Sequence, residues 1–151
     1  MKNIFLLLIL TFLISQCGYE RIYSGKNLNF SIRDIKKENN IINNELSNAL
    51  LGILSKKTSD NIFDLEIQSK KSTDVKSKDS KGNPSVYVLK LETKIIAKDK
   101  KNKKYINIIN EEMNYNNNDD KFELSQYINE IEKILIKETV EEIISYLTDI
   151  K

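Results

Sequence analysis

The chain has 151 residues, of which 40% are apolar and 30% charged, enough apolar content for one folded domain with a real core and too much for a disordered chain. Lys+Arg 24 against Asp+Glu 22 leaves a formal charge of only +2, without the basic surplus that marks a nucleic-acid binder. There is no His and a single Cys, so the common groups of zinc sites and nucleophilic catalysis are missing; no catalytic residue, metal or cofactor is expected.

The chain opens with Met1, Lys2 and Asn3, a short cationic stretch, followed by an uncharged run from Ile4 to Ile14 that only Thr11 interrupts. This is the pattern of a secretory signal peptide. As a helix the run reaches about 16 Å, against roughly 30 Å of hydrocarbon, too short to span. Next come Ile14, Ser15, Gln16, Cys17 and Gly18, which resemble a bacterial lipobox with Cys17 as the lipid acceptor; the alternative is a free or buried thiol. The lipobox reading divides the chain into a signal peptide (1–16), a lipidated leader (17–28) and a single domain (29–151). An acylated Cys17 has no thiol left to pair, so the domain folds without disulfides, and several acyl chains hold it to a membrane more firmly than one could. Gly18, where an Asp would mark retention at the inner membrane, implies by the same resemblance the outer membrane of a Gram-negative bacterium.

From Asn29 the pattern becomes regular. Phe30 and Ile32 alternate with Ser31 and Arg33, predicting a first strand. Ile42, Leu46, Ala49, Leu50 and Ile53 follow helical spacing behind Asn39 or Asn40 as N-cap. Phe63, Leu65 and Ile67 alternate with Asp64, Glu66 and Gln68 in a second strand; Lys70 to Ser85, polar and carrying Gly82 and Pro84, reads as a long loop. Val86 to Lys98 alternates as a third strand and Asp99 to Lys104 is a charged turn. Tyr105 to Tyr115 is a fourth strand whose alternation slips between Ile108 and Ile109, as a β-bulge would make it. Asp120, with Glu123 three residues on, opens a second helix that runs to Thr148.

That helix carries two apolar stripes. Leu124, Ile128, Ile131 and Leu135 form one; Ile136, Val140, Ile143, Leu147 and Ile150 lie roughly 120° round from it. Either the helix kinks near Lys137 or its C-terminal half faces another surface, which is the first helix or a partner protein. Ile136, Val140, Ile143 and Leu147 are thus the partner-facing candidates. The element order β-α-β-β-β-α predicts an α+β two-layer sandwich, two helices on one face of a four-stranded sheet.

Cys17, Gly18 and Tyr19, followed by Tyr23 and Gly25, resemble the opening of the LPS-assembly lipoprotein family (LptE-like). Ile32, Ile35 and the Asn44 to Leu54 segment are similar to its strand and following helix, and Arg21 and Ile22 replace its usual Pro-Leu. The resemblance covers nearly the whole chain after the signal peptide. It implies a non-enzymatic outer-membrane lipoprotein whose partners are an outer-membrane barrel of the LptD type, LPS, and the membrane through its acyl chains. An accessory lipoprotein of another envelope lipid-transport complex is the alternative.

Two clusters remain. Lys100, Lys101, Lys103 and Lys104 crowd one turn, either as the solvated end of a sheet or as candidate LPS-binding cations for lipid A phosphates. Lys90 and Lys94 are weaker candidates, with Asp64 and Glu66 in reach as cross-strand partners. Glu111 and Glu112 do not make a catalytic dyad, because neighbours on a strand point to opposite faces, and adjacent acids such as these and Asp119–Asp120 usually face solvent.

Overall fold

A computed structural model describes residues 28–54 and 59–150. The expected signal peptide, Cys17 and the expected leader up to residue 27 lie outside the described residues. The elements are β1 (Phe30–Lys37), α1 (Ile41–Leu54), β2 (Asn61–Lys78), β3 (Pro84–Lys98), β4 (Lys104–Asn116) and α2 (Lys121–Asp149). The strands form one sheet in the order β1-β2-β3-β4, with β1 parallel to β2 and the other pairs antiparallel. Both helices pack on the same face, α1 over β1 and β2, α2 over β3 and β4 and against α1. The architecture is the expected α+β sandwich.

Alternation decides which side chains meet the helices. Phe63, Leu65 and Ile67 of β2 and Leu89, Leu91, Ile95 and Ala97 of β3 are buried beneath them, together with Leu46 and Leu50 of α1 and Leu135, Ile143 and Ile144 of α2. One end of this core is closed by aromatic rings: Phe30 and Tyr105 each meet Phe63 edge-on, with centroids 6.3 Å apart. Leu28, which precedes β1, is buried at the same end.

The segment expected as a loop from Lys70 to Ser85 is mostly strand. β2 continues to Lys78, and its partner β3 starts at Pro84, leaving only a short turn. Polar Lys71, Ser72 and Asp74 are tolerated here because β1 ends opposite Ile67 and this part of the hairpin is exposed. Pairing with β3 satisfies the backbone even where the side chains stay wet.

Register shifts occur around Ser77 near the end of β2, and a bulge exists in β1. The pairing steps from Ile32–Phe63 to Asp34–Asp64, leaving Arg33 extra, so that Ile35 returns to the buried side opposite Leu65. β4, where the bulge was expected, keeps an unbroken register with β3 from Lys98–Lys104 to Val86–Asn116. Ile109 is therefore buried, whereas Ile106 and Ile108 point away from the helices and are 56% and 55% exposed.

Both helix starts are capped by the side chains the sequence offered. Asn40 Oδ1 accepts from the Asn43 N–H at 2.7 Å, and Asp120 Oδ1 accepts from Phe122 and Glu123 at 2.9 and 3.1 Å. The second cap lacks the reciprocal bond of a capping box, because Asn118 supplies the acceptor for the Asp120 N–H and itself donates to Glu123. α2 is one unbroken helix from Lys121 to Asp149. Its two stripes are explained by two neighbours, the sheet and α1. Ile136, Val140, Ile143 and Leu147 are buried in this core, so the partner-facing reading of these four is corrected to the intramolecular one.

Candidate functional site

The expected lysine cluster sits on the β3–β4 turn, which is built around Asp99. Its Oδ1 accepts the backbone N–H groups of Lys101 and Lys103 at 2.8 and 2.9 Å, and its carbonyl accepts from Asn102 at 2.9 Å. Asn102 takes φ 61°, a left-handed conformation that Asn tolerates better than most residues. The β2–β3 turn repeats the design: Asp79 Oδ1 accepts from Lys81 and Asn83, both at 2.8 Å, and Gly82 takes φ 86°. These bonds hold the Asp79 carboxyl below its ordinary range, Asn83 contributing most. The signal for this second turn, Asp79-Ser80-Lys81-Gly82-Asn83 beside Asp99-Lys100-Lys101-Asn102-Lys103, was legible in the sequence but lay inside the expected loop.

Lys100, Lys101, Lys103 and Lys104 are all exposed. Lys103 Nζ lies 4.8 Å from the centre of the Tyr105 ring, which steadies one of the four. The topology then places this turn beside the start of the described chain. Phe30 pairs with Asn61, Asp64 with Lys98 and Lys98 with Lys104, so Leu28 and the lysine turn share one end of the sheet. Asn29 is also tied to the end of α2 through a 3.3 Å bond to the Thr148 carbonyl.

The sheet face away from the helices continues the basic end. Lys98 stands beside Lys104, Ile96 beside Ile106, and Lys94 beside Ile108. Moving up this face, the first acids are Glu92 on β3 and Glu112 on β4. On the β2 side the charges are mixed: Lys98 reaches Glu66 at 3.9 Å, and Arg33 from the bulge forms a two-pronged pair with Asp64, its Nε at 2.8 Å. That hydrogen-bonded pair holds the Asp64 carboxyl below its ordinary range against a smaller opposing effect of desolvation. Lys90 pairs with Asp74 at 2.9 Å, rather than with Asp64 or Glu66, and Lys94 lies opposite Gln68.

The adjacent acids separate as expected. Glu111 turns toward the helices and Glu112 away from them, while Asp120 serves as the α2 cap. Burial, followed by the nearby charges of Glu138 and Glu142, pushes the Glu111 carboxyl up. Among the described residues no group of three His, Cys, Asp or Glu side chains is placed to hold a metal ion.

Solved structures share this arrangement. The minor lipoprotein from Acinetobacter baumannii matches with a TM-score of 0.62 at 10% identity, covering 80% of this chain and 91% of its own. The uncharacterized lipoprotein B from Nitrosomonas europaea gives a TM-score of 0.60 at 16% identity over 78% of this chain and 81% of its own. The rare lipoprotein B from Shewanella oneidensis gives 0.53 at 11% identity over 76% and 90%. The chain has the fold of these lipoproteins. No protein-family model and no curated protein sequence matches it. At such identities the shared fold fixes the path of the backbone and leaves side-chain roles to be argued from this chain's own residues.

Proposed function

We propose that the chain is an outer-membrane lipoprotein, tethered through Cys17, that assists a large barrel of the LptD type in its assembly and in delivering LPS to the outer leaflet. The observation that carries this reading is a coincidence of two independent features. A lipobox-like Cys17 follows a signal-peptide pattern, and the body behind it has the fold of proteins named as lipoproteins in three bacteria. The physical form suits the role. Among the described residues no helix is long and apolar enough to cross a membrane, and the sheet face away from the helices is largely polar. A wedge of that kind can occupy the aqueous lumen of a wide barrel, which narrow barrels fill with their own side chains. The role is non-catalytic and needs no cofactor beyond the covalent lipid.

The test is recovery of the tagged full chain from cells labelled with palmitate, followed by identification of what comes with it. The expected result is a labelled protein in a stoichiometric complex with an LPS-translocating barrel that survives mild detergent. A labelled chain bound to a different envelope transporter would replace the barrel assignment with an accessory role there, and an unlabelled chain with a free Cys17 thiol would overturn the anchor as well.

A further inference from the structure

The basic end of the sheet is also where two large aliphatic side chains stand in the open. Ile106 and Ile108 are 56% and 55% exposed on the face away from the helices, with half-buried Ile96 beside them. Lys94, Lys98 and Lys104 occupy the alternating positions among these isoleucines, and the turn adds Lys100, Lys101 and Lys103. Apolar side chains ringed by flexible cations match the boundary between acyl chains and phosphate headgroups. Position narrows the choice. Cys17 is eleven residues before Leu28, so a fully extended leader keeps this end within about 40 Å of the acylated sulfur. The Asp79 turn lies a whole β3 strand further off, roughly 50 Å at 3.3 Å per residue for fifteen residues.

From this juxtaposition we infer that the Lys94–Lys104 end of β3 and β4 docks on the anionic phospholipid leaflet that holds the anchor, with Ile106 and Ile108 seated at the headgroup boundary. The inference rests on the anchored reading above. It assigns the turn lysines to leaflet phosphates rather than to translocating glycolipid. A polybasic surface next to a lipid anchor supplies a second attachment signal, which fixes the orientation of a body that the tether alone would leave free to swing.

The experiment uses the full lipidated chain reconstituted into phosphatidylcholine vesicles, with and without phosphatidylglycerol, and maps amine-reactive labelling of individual lysines by mass spectrometry. In the anionic vesicles Lys94, Lys98, Lys100 and Lys104 are expected to be labelled several-fold more slowly, while Lys76, Lys78 and Lys81 at the far end are unchanged. High salt should weaken this protection. The double variant Ile106→Asp/Ile108→Asp, with far-UV circular dichroism as the check on folding, is expected to lose most of it. Equal labelling in both vesicles overturns the inference, as does protection that arises only when a purified barrel partner is added or only when LPS is included. The same spectra report the mass of the Cys17 peptide, so an unacylated cysteine overturns the anchored reading itself, whereas an acylated one with unprotected lysines overturns only the docking.

Discussion

At the residue scale, two carboxylates pull stability in opposite directions with pH. Glu111 lies on the helix-facing side of β4, and burial and then Glu138 and Glu142 raise its pKa above the ordinary 4.5. The folded state therefore holds that proton more tightly than the unfolded chain, and the ionised group opposes folding at neutral pH. Glu111→Gln should raise the Tm at pH 7, with the gain fading as pH falls through the folded and then the unfolded pKa. Asp64 has the opposite sign: the Arg33 hydrogen bonds lower its pKa below the ordinary 3.8, so its contribution is present above that value and lost as pH falls through the depressed one. Asp64→Asn should lower the Tm at pH 7 and cost little in strong acid. Thermal unfolding across a pH series checks both, and the same sign for both variants would contradict these environments.

At the element scale, β4 tests the sheet register. Ile108 and Ile109 are neighbours in sequence, yet one is 55% exposed and the other 5%. Ile108→Asp should leave urea-unfolding stability within about 0.5 kcal/mol of the native chain, as for an exposed site. Ile109→Asp should cost at least about 3 kcal/mol, because it loses a buried aliphatic group and strands a charge in the core. Similar losses for both would mean that β4 carries the bulge its alternation suggests. The strands over Phe63–Gln68 and Val86–Lys98, both helices and both caps were legible because apolar periodicity and capping chemistry act locally. The other misreadings share a cause. Lys70 to Lys78 lacks an apolar face, so its strand state comes from pairing with β3, which no local pattern records. The extra residue Arg33 is fixed by a pairing register with a strand that follows α1. The apparent slip between Ile108 and Ile109 is no bulge: two adjacent isoleucines face opposite sides of an unbroken strand, and alternation alone does not tell an exposed isoleucine from a displaced one.

At the scale of the whole molecule, the sheet is unevenly supported. From Asp64 to Ile67, β2 has β1 on one side and β3 on the other; beyond Ile67 it has β3 alone. The upper hairpin is tied back to the helix layer by the Lys71–Glu132 ion pair, and its tip is closed by the Asp79 turn and by stacking of Tyr87 on Tyr115 at 5.4 Å. Amide hydrogen exchange should therefore divide β2 into two cooperative units. Amides from Asp64 to Ile67 are expected to exchange only on global unfolding, and those from Ser72 to Lys78 through local opening at lower free energy. Uniform protection along β2 would contradict this division.

The paired construction of the two hairpin ends has a corollary. Asp99 and Asn102 shape the β3–β4 turn together with the backbone N–H groups of Lys101 and Lys103, while the side chains of Lys100 and Lys101 are exposed. The Asp79 turn keeps the same hydrogen bonds with Ser80 where Lys100 stands and Asn83 where Lys103 stands. The electrical character of this extremity is thus decoupled from the ability to fold. Substituting two or three side chains there can change the charge of this end and leave the scaffold intact.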